Sequence, residues 1–426
     1  GAYRDDWLSL DTLRDGLNDT PTHQRVISTT ALDYAWFTVA GTDIHSLAGA
    51  EQFQAYLDSM PDMYLLFKLV PLTAVLSAAV LAGRSLQQRR IKQSPDSILV
   101  IWLLLPVLAF TWEWTEIAPH YMIPLMPAAY ILCGAGAAVL LSVIRSAQAR
   151  RVTLIGGAAI LVIIAGLQVY LFAGLLRFLD DHATPGAFGT PLHYLLDVRD
   201  TILDRHVQDV IVISEEEIAP YDQEPAVWGA LLDSVPQVRF VNGTRTAVIP
   251  VAPALELIAW VPGLRICADQ TCQDQPDVEV FERRPGEAPY LLRPAQEQVV
   301  NGLNELSPIR FANGAYLVGY AVHETSVVLV WELSGTAQAD YQAFVHALDA
   351  NGAKIAQADR PTWPGKYWRA GDRLILWFDL TVPPEAVSLY TGMYTLDGDN
   401  YRAAEVLDNN GAYVDQAATI PLNAAD

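Results

Sequence analysis

Residues 121–144 read YMIPLMPAAYILCGAGAAVLLSVI, and no Asp, Glu, Lys or Arg interrupts them. An α-helix needs about 20 apolar residues to cross the hydrocarbon core of a bilayer. This run of 24 residues is therefore predicted to be a membrane span. Three other apolar runs lie nearby, so that four transmembrane helices are predicted in all, at residues 63–82, 97–112, 121–144 and 152–176.

Charge divides the chain into two parts. The 426 residues carry 27 Lys and Arg against 48 Asp and Glu, and the mean hydropathy is +0.20. Residues 1–180 have a net charge of −2, whereas residues 181–426 have −19. A nearly neutral apolar part followed by an acidic part indicates a membrane region followed by a soluble one. The overall charge of −21 argues against nucleic acid as a partner, because phosphate binding needs a basic face.

The loops between the spans predict their orientation. Basic residues are concentrated after the first span and after the third, at Arg84, Arg89, Arg90, Lys92, Arg145, Arg150 and Arg151. The positive-inside rule places both loops in the cytoplasm. We therefore expect a multi-pass protein of the plasma membrane, with the N-terminal segment 1–61 and everything after about residue 178 outside. Because the chain begins with Gly1 and not with Met, we expect it to be a fragment or a processed product.

The exported half is predicted to contain two folds. Residues 182–294 alternate helical and strand patterns, which is typical of a small α/β module, and they have no glycine-rich phosphate loop. From residue 307 to 426, short alternating strands are separated by turn signals such as Asn351-Gly352. Seven or eight such strands predict a β-sandwich, jelly-roll-like in form. The predicted fold class is thus a multi-domain membrane protein with four helical spans, an α/β module and a C-terminal β-sandwich.

The two exported cysteines, Cys267 and Cys272, form a C-x₄-C pair. Export permits a disulfide between them, and two free thiols are the alternative. No further Cys or His is close enough in the sequence to complete a metal site. The sequence of Asp397-Gly398-Asp399 suggests either a metal-binding D-x-D or a hairpin turn, and its position between two strands favours the turn.

Two groups of residues are candidates for binding. The outer loop before the third span contains Glu113, Glu116, His120 and Tyr121. These can form an aromatic belt with solvated carboxylates, or His120 and Tyr121 can meet a lipid phosphate. The predicted sandwich contains a second group of aromatic residues. They either form a platform on which sugar rings stack or belong to the core. These residues are Trp363, Tyr367, Trp368, Tyr390, Tyr394 and Tyr401.

Several of these segments resemble a known family. The run 101–110, the sequence 119–128 and Gly134–Gly136 are similar to the late spans of GT-C membrane glycosyltransferases, of the protein O-mannosyltransferase and aminoarabinose-transferase-like group. His120, Tyr121, Pro124 and Pro127 match the family's (R/H)-Y-x-x-P-x-x-P pattern. The sandwich resembles the extracytoplasmic domain attached to many bacterial members, and together the resemblance covers most of residues 60–420.

The resemblance implies sugar transfer from a polyprenyl-phosphate-linked donor to a glycan or protein acceptor outside the membrane, with assistance from a divalent metal or a carboxylate. The family's catalytic carboxylate follows its first span, a loop that this chain lacks, so that the catalytic residues are expected upstream and no cofactor is assigned to these residues. His120 and Tyr121 then lie near the lipid phosphate, with Glu113 and Glu116 as neighbours. The alternatives are a non-catalytic envelope protein whose sandwich binds glycans and a membrane anchor whose exported part binds a partner protein.

Overall fold

The computed structural model divides the chain into two units, Gly1–Gly189 and Thr190–Asp426. It describes residues 26–27, 29–40, 55–56, 58, 64–87, 95–113, 119–184, 189–267, 272, 275, 277–397 and 400–422. The first unit is helical, and the second consists mainly of β-sheets.

Three helices of the first unit are long and apolar enough to cross a membrane, as the sequence predicted for three of its four spans. The apolar stretches are Lys68–Gln87, Leu125–Val143 and Ala147–Asp181. They belong to helices α2 (Tyr64–Gln87), α4 (Leu125–Val143) and α5 (Ala147–Asp181). Most of their surface is exposed in this unit, which is compatible with a membrane location.

The predicted span at 97–112 forms a shorter helix, α3 (Pro95–Phe110). Its 16 residues reach about 24 Å at 1.5 Å per residue, which is less than the roughly 30 Å of a hydrocarbon core. A fourth span therefore stays a prediction. The unit also contains helix α1 (Thr30–Ala40), a 3₁₀ helix (Pro119–Met122) and the short strands β1 (Val26–Ile27) and β2 (Trp112–Glu113).

Helices α2 and α4 pack closely because Gly136 has no side chain. A Cβ atom at this position would lie 2.1 Å from Ser77 Oγ, well inside van der Waals contact. Small residues at such crossings allow helix backbones to approach within a membrane. Around the contact, the buried residues of the two helices include Val70, Ala74 and Leu132.

The second unit begins with a mixed five-stranded sheet whose strand order is β4-β3-β6-β8-β7. Strand β3 pairs in parallel with β4 and β6, and β8 runs antiparallel to β6 and β7. The elements are α6 (Leu192–Asp204), β3 (Asp209–Ser214), α7 (Gln223–Leu231), β4 (Gln237–Asn242), β6 (Leu255–Ala259), β7 (Glu279–Phe281) and β8 (Tyr290–Pro294). All six residues of β3 are buried, as expected for a strand inside a parallel sheet.

Two antiparallel sheets follow, of seven and five strands. The first has the order β18-β17-β9-β10-β11-β14-β5, and the second has the order β13-β12-β15-β16, with β19 also paired to β15. The strands are β5 (Thr246–Ile249), β9 (Asn304–Phe311), β10 (Ala315–Val322), β11 (Ser326–Leu333), β12 (Gln342–Leu348), β13 (Lys354–Pro361), β14 (Arg373–Asp379), β15 (Ser388–Asp397), β16 (Asn400–Ala403), β17 (Val406–Leu407), β18 (Tyr413–Asp415) and β19 (Ala418–Pro421). The β-rich region is thus present, whereas a jelly-roll connectivity stays a prediction.

Strand β5 links the predicted α/β module to the seven-stranded antiparallel sheet. It follows β4 in the chain but pairs with β14, so that Thr246 lies opposite Leu376 and Ile249 lies opposite Arg373. Residues of all three sheets belong to one hydrophobic core. The two predicted domains, 182–294 and 307–426, therefore share a sheet, and their separate boundaries stay a prediction.

A buried ionic contact reinforces this link. The guanidinium of Arg239 on β4, 1% exposed, donates to both carboxylate oxygens of Asp209 at 3.0 and 2.5 Å. Its Nη1 also donates to Asp372 Oδ2 at 2.5 Å, and Asp372 Oδ1 accepts from the backbone N–H of Val251. One side chain thus joins the mixed sheet to the residues that precede β14.

The burial of the aromatic residues beside Arg239 shows that one interpretation of the sequence, a platform for sugar rings at these positions, is wrong. Trp363 and Trp368 are fully buried and Tyr367 is 9% exposed, so none of the three forms a platform open to sugar rings. Trp363 Nε1 donates to the carbonyl oxygen of Phe240 at 2.8 Å, and the Arg239 guanidinium lies 5.4 Å from its ring centroid. Burying these large rings removes much apolar surface from water, and both indole N–H groups find carbonyl acceptors, so the three residues belong to the core.

We predict that Arg239→Met destabilises the second unit by about 3–5 kcal/mol, because it leaves Asp209 and Asp372 buried without their cation. Urea unfolding of the full chain in detergent micelles, followed by tryptophan fluorescence, measures the change. Arg199→Met is the matched control, since Arg199 pairs with Asp200 on an exposed surface; its cost should stay below about 0.5 kcal/mol. Equal losses in the two variants would contradict a special role for Arg239.

Candidate functional site: an aromatic face on the five-stranded sheet

The predicted membrane-surface residues are only partly described. Tyr121 lies in the 3₁₀ helix before α4, is 42% exposed, and stacks on Phe110 with ring centroids 5.6 Å apart. The backbones of Glu113 and His120 are described but their side chains are not, and Glu116 lies outside the described residues. Contact of this loop with a lipid phosphate therefore stays a prediction.

The cysteine and D-x-D motifs have separate outcomes. Cys272 forms a disulfide and Cys133 is free. The side chain of Cys267 lies outside the described residues, so that its pairing with Cys272 stays a prediction.

Asp397 pairs with Asn400 across the β15–β16 hairpin, as the turn interpretation predicted. Within the part of the chain that the structure describes, no group of three His, Cys, Asp or Glu side chains is arranged to hold a metal.

Strands β12 and β15 place several rings on one side of the five-stranded sheet. Residues of a strand alternate between its two faces. On β12 the buried residues Ala343, Val345 and Ala347 point into the core, so that Phe344 and His346 lie on the opposite side. The register sets His346 opposite Tyr390 and Phe344 opposite Gly392, two residues before Tyr394. We call this surface the aromatic face; it comprises Phe344, His346, Tyr390, Tyr394 and Tyr401.

Gly392 provides the space in which the Phe344 ring lies. A Cβ atom at Gly392 would be 3.2 Å from Phe344 Cε1 and 3.2 Å from Ala417 Cβ. Both contacts are tighter than ordinary packing, so a side chain here would push the ring away from the sheet. The glycine thus lets Phe344 lie low, with Tyr390 on one side and Tyr394 on the other.

The rings of the aromatic face are close enough to act as one surface. Centroid distances from Phe344 are 4.7 Å to His346, 5.8 Å to Tyr390 and 6.1 Å to Tyr394. Tyr394 and Tyr401 are 4.7 Å apart, and Tyr401 is 53% exposed. Phe344 is almost fully buried beneath its neighbours, whereas the tyrosines and His346 reach solvent.

Polar groups line the edge of the face. Asp359 on β13 lies opposite Phe344, and its Oδ2 accepts a hydrogen bond of 3.1 Å from the Tyr394 hydroxyl. Its other oxygen, Oδ1, is 3.9 Å from His346 Nε2. Burial, together with the charge of Lys354, lowers the pKa of His346, and the nearby Asp359 opposes this only partly. Burial and Asp359 raise the pKa of Tyr394, so its hydroxyl stays protonated at neutral pH.

This combination suits a flat ligand that carries hydroxyl groups. Aromatic faces contribute large apolar contact at a small entropic cost, and a phenol adds a hydrogen-bonding group at its edge. A neutral imidazole and a carboxylate supply acceptors and a donor for hydroxyls. A pyranose has apolar C–H faces and a rim of hydroxyls, so that the aromatic face offers both kinds of contact that a sugar ring needs.

The sequence identified only part of this surface. Tyr390, Tyr394 and Tyr401 were among the aromatic residues considered for a sugar platform, but Phe344, His346 and Asp359 were missed. The alternation Phe344-x-His346 is a detectable signal on one strand. Its position opposite Tyr390, however, depends on strand pairing, which a single sequence does not define.

Comparison with protein-family models, curated proteins and solved structures finds no match to this chain.

We predict that acid destabilises the second unit partly through His346. Because its folded-state pKa lies below the unfolded value of 6.5, the unfolded chain binds the proton more readily. Stability should therefore fall as the pH drops from about 7 through the lowered pKa, and His346→Gln should reduce that fall. Thermal unfolding at pH 7 and pH 5 measures it, with His323→Gln as an exposed control. An identical pH dependence in wild type and His346→Gln would contradict the assignment.

Proposed function

We propose that the chain is a membrane-anchored envelope protein whose aromatic face binds carbohydrate outside the cell. The observation that carries the proposal is the cluster of tyrosines around Phe344, in which Tyr401 is exposed and Tyr390 and Tyr394 are half-buried, with Asp359 and His346 at its edge. Three apolar helices long enough to span a membrane support the anchor. The basic loops support an extracytoplasmic position for the second unit under the positive-inside rule, and so does the disulfide at Cys272.

A second proposal concerns the complete protein. The resemblance to GT-C glycosyltransferases supports the idea that this chain is the C-terminal portion of an enzyme that uses a polyprenyl-phosphate-linked sugar donor, and that it is inactive alone. The 3₁₀ helix Pro119–Met122 favours it, because it lies directly before an apolar helix and leaves Tyr121 partly exposed there. In such an enzyme the aromatic face would hold a glycan acceptor, so the two proposals are compatible.

We predict that Tyr394→Ala and Tyr401→Ala each weaken glycan binding at least about fivefold, because each removes a stacking ring worth about 1 kcal/mol. The full chain in nanodiscs is screened on a broad glycan array, and the affinity for the best oligosaccharide is measured by calorimetry. Tyr221→Ala is the matched control, since Tyr221 is 87% exposed away from this face. A wild-type chain that binds no glycan on the array would overturn the carbohydrate proposal.

We predict that His120→Ala in the complete protein lowers the use of a polyprenyl-phosphate sugar donor at least tenfold while leaving the fold intact. The physical reason is the loss of a donor to the lipid phosphate. Sugar transfer in proteoliposomes measures the rate, with His323→Ala in an exposed turn as the control. Unchanged kinetics for the lipid donor would remove His120 from the site.

A further inference from the structure

Three arginines lie in the same region beside the mixed sheet, and Arg360 points to the opposite side of β13 from Asp359 and the aromatic face. Arg245 follows β4, Arg265 begins the 3₁₀ helix Arg265–Cys267, and Arg360 lies near the end of β13. The charges of Arg245 and Arg265 both act on Arg360, as do those of Glu217 and Asp379. We call these three arginines and two carboxylates the arginine cluster.

Two of the three arginines have a carboxylate of their own. Arg245 Nη2 donates to Glu217 Oε1, and Arg265 Nη2 donates to Asp379 Oδ1 at 2.8 Å. Both arginines are also held by the backbone around them, since the Arg245 carbonyl accepts from Trp377 N–H and Arg265 Nε donates to the Thr244 carbonyl. Each of these two arginines therefore has a counterion, although Arg245 Nε and Glu217 Oε2 are buried without a hydrogen-bond partner among the described residues.

Arg360 differs from its neighbours. Among the described residues its guanidinium has no hydrogen bond and no ion pair, and it lies over the Phe378 ring at 5.7 Å from the centroid. Its Nε atom is sealed from solvent without a partner. A buried polar donor that has no acceptor costs free energy, as does a partly buried charge without a counterion. The two Nη atoms of Arg360 are not sealed in this way, so they are the part of its guanidinium that an external group can reach.

The charges give the same result. Three cations face two carboxylates, which leaves one positive charge in excess within a chain whose total is −21. Burial and the neighbouring Arg245 lower the pKa of Arg360 to about 10, so it is still charged at neutral pH. One singly charged anion would balance the cluster.

The location also suits a ligand. Glu217 lies in the loop after β3, and Arg245 lies just after β4, so both come from the carboxyl ends of parallel strands. In open α/β sheets, ligands bind in the crevice outside these ends. The backbone there is held in place, because Asn242 Nδ2 donates to the Glu215 carbonyl and Gly243 N–H donates to the Ser214 carbonyl.

We propose that Arg360, flanked by Arg245 and Arg265, binds the carboxylate of a small ligand such as a uronic acid. The planar fork of a guanidinium matches a carboxylate with two parallel hydrogen bonds, as Arg239 and Asp209 show elsewhere in this unit. A carboxylate also carries the single negative charge that the cluster lacks. This site is independent of the aromatic face and does not require that face to bind sugar.

Calorimetric titration of the full chain in nanodiscs with sodium glucuronate tests the proposal, at constant ionic strength set with sodium chloride. Wild type should bind glucuronate, with acetate weaker, glucose undetectable and inorganic phosphate no tighter than glucuronate. Arg360→Gln should weaken binding at least tenfold, and Arg310→Gln, an exposed arginine on β9, should leave it unchanged. Arg360→Lys keeps the charge but loses the fork, so it should weaken binding by a smaller factor.

Several results would overturn the proposal. Absence of glucuronate binding to wild type does so regardless of how any variant folds. Equal affinity in wild type and in Arg360→Gln, with thermal unfolding showing both folded, also does so. If Arg360→Gln does not fold, Arg360→Lys decides the matter, and undiminished binding in that variant contradicts the role of the fork. Tighter binding of phosphate than of glucuronate would contradict the proposal, because the ligand would then be a phosphate and not a carboxylate.

The aromatic-face variants Tyr394→Ala and Tyr401→Ala should leave glucuronate affinity unchanged, which separates this test from that of the proposed function.

Discussion

Arg239 is the point at which the mixed sheet and the antiparallel sheets of the second unit are held together. Its guanidinium joins Asp209 at the start of β3 to Asp372 immediately before β14, and it lies beside the Trp363 ring. A buried cation of this kind is tolerated only when its partners are complete, so the three side chains form one dependent set. The pairing of β5 with β14 lies in the same region, so that the 246–249 segment belongs to the seven-stranded sheet although it follows β3 and β4 in the chain.

This arrangement explains the distribution of aromatic residues. The large rings next to Arg239 fill the joint between the sheets and are inaccessible, whereas those on β12, β15 and β16 lie on the far side of their sheet from the core. The same residue types therefore have two roles, and strand register separates them. Gly392 makes the exposed aromatic arrangement on β12 and β15 possible, because only a residue without a side chain allows Phe344 to lie against the strand.

We propose two binding sites of different chemistry in this unit. The aromatic face offers apolar ring surface with neutral hydrogen-bonding groups, which suits an uncharged sugar. The arginine cluster offers one excess positive charge at the carboxyl ends of parallel strands, which suits an acid. In the first unit, by contrast, the dominant chemistry is apolar, and the exposed surface of α2, α4 and α5 is compatible with lipid.

The amino-acid sequence by itself determined the helical membrane-like part, the strand Asp209–Ser214, the strand Ser326–Leu333 and the hairpin pairing of Asp397 with Asn400. These features depend on local periodicity and turn chemistry, which a short window contains. Tertiary structure alone decided that Trp363 is fully buried while Tyr394 is only partly buried, that β5 joins β14, and that Arg360 has no hydrogen bond or ion pair among the described residues. Each of these depends on contacts between residues 100 or more positions apart or on the choice of strand register. The same alternation of apolar and polar residues is compatible with many ways of pairing the strands, so the pairing of distant segments is seen only in the folded chain.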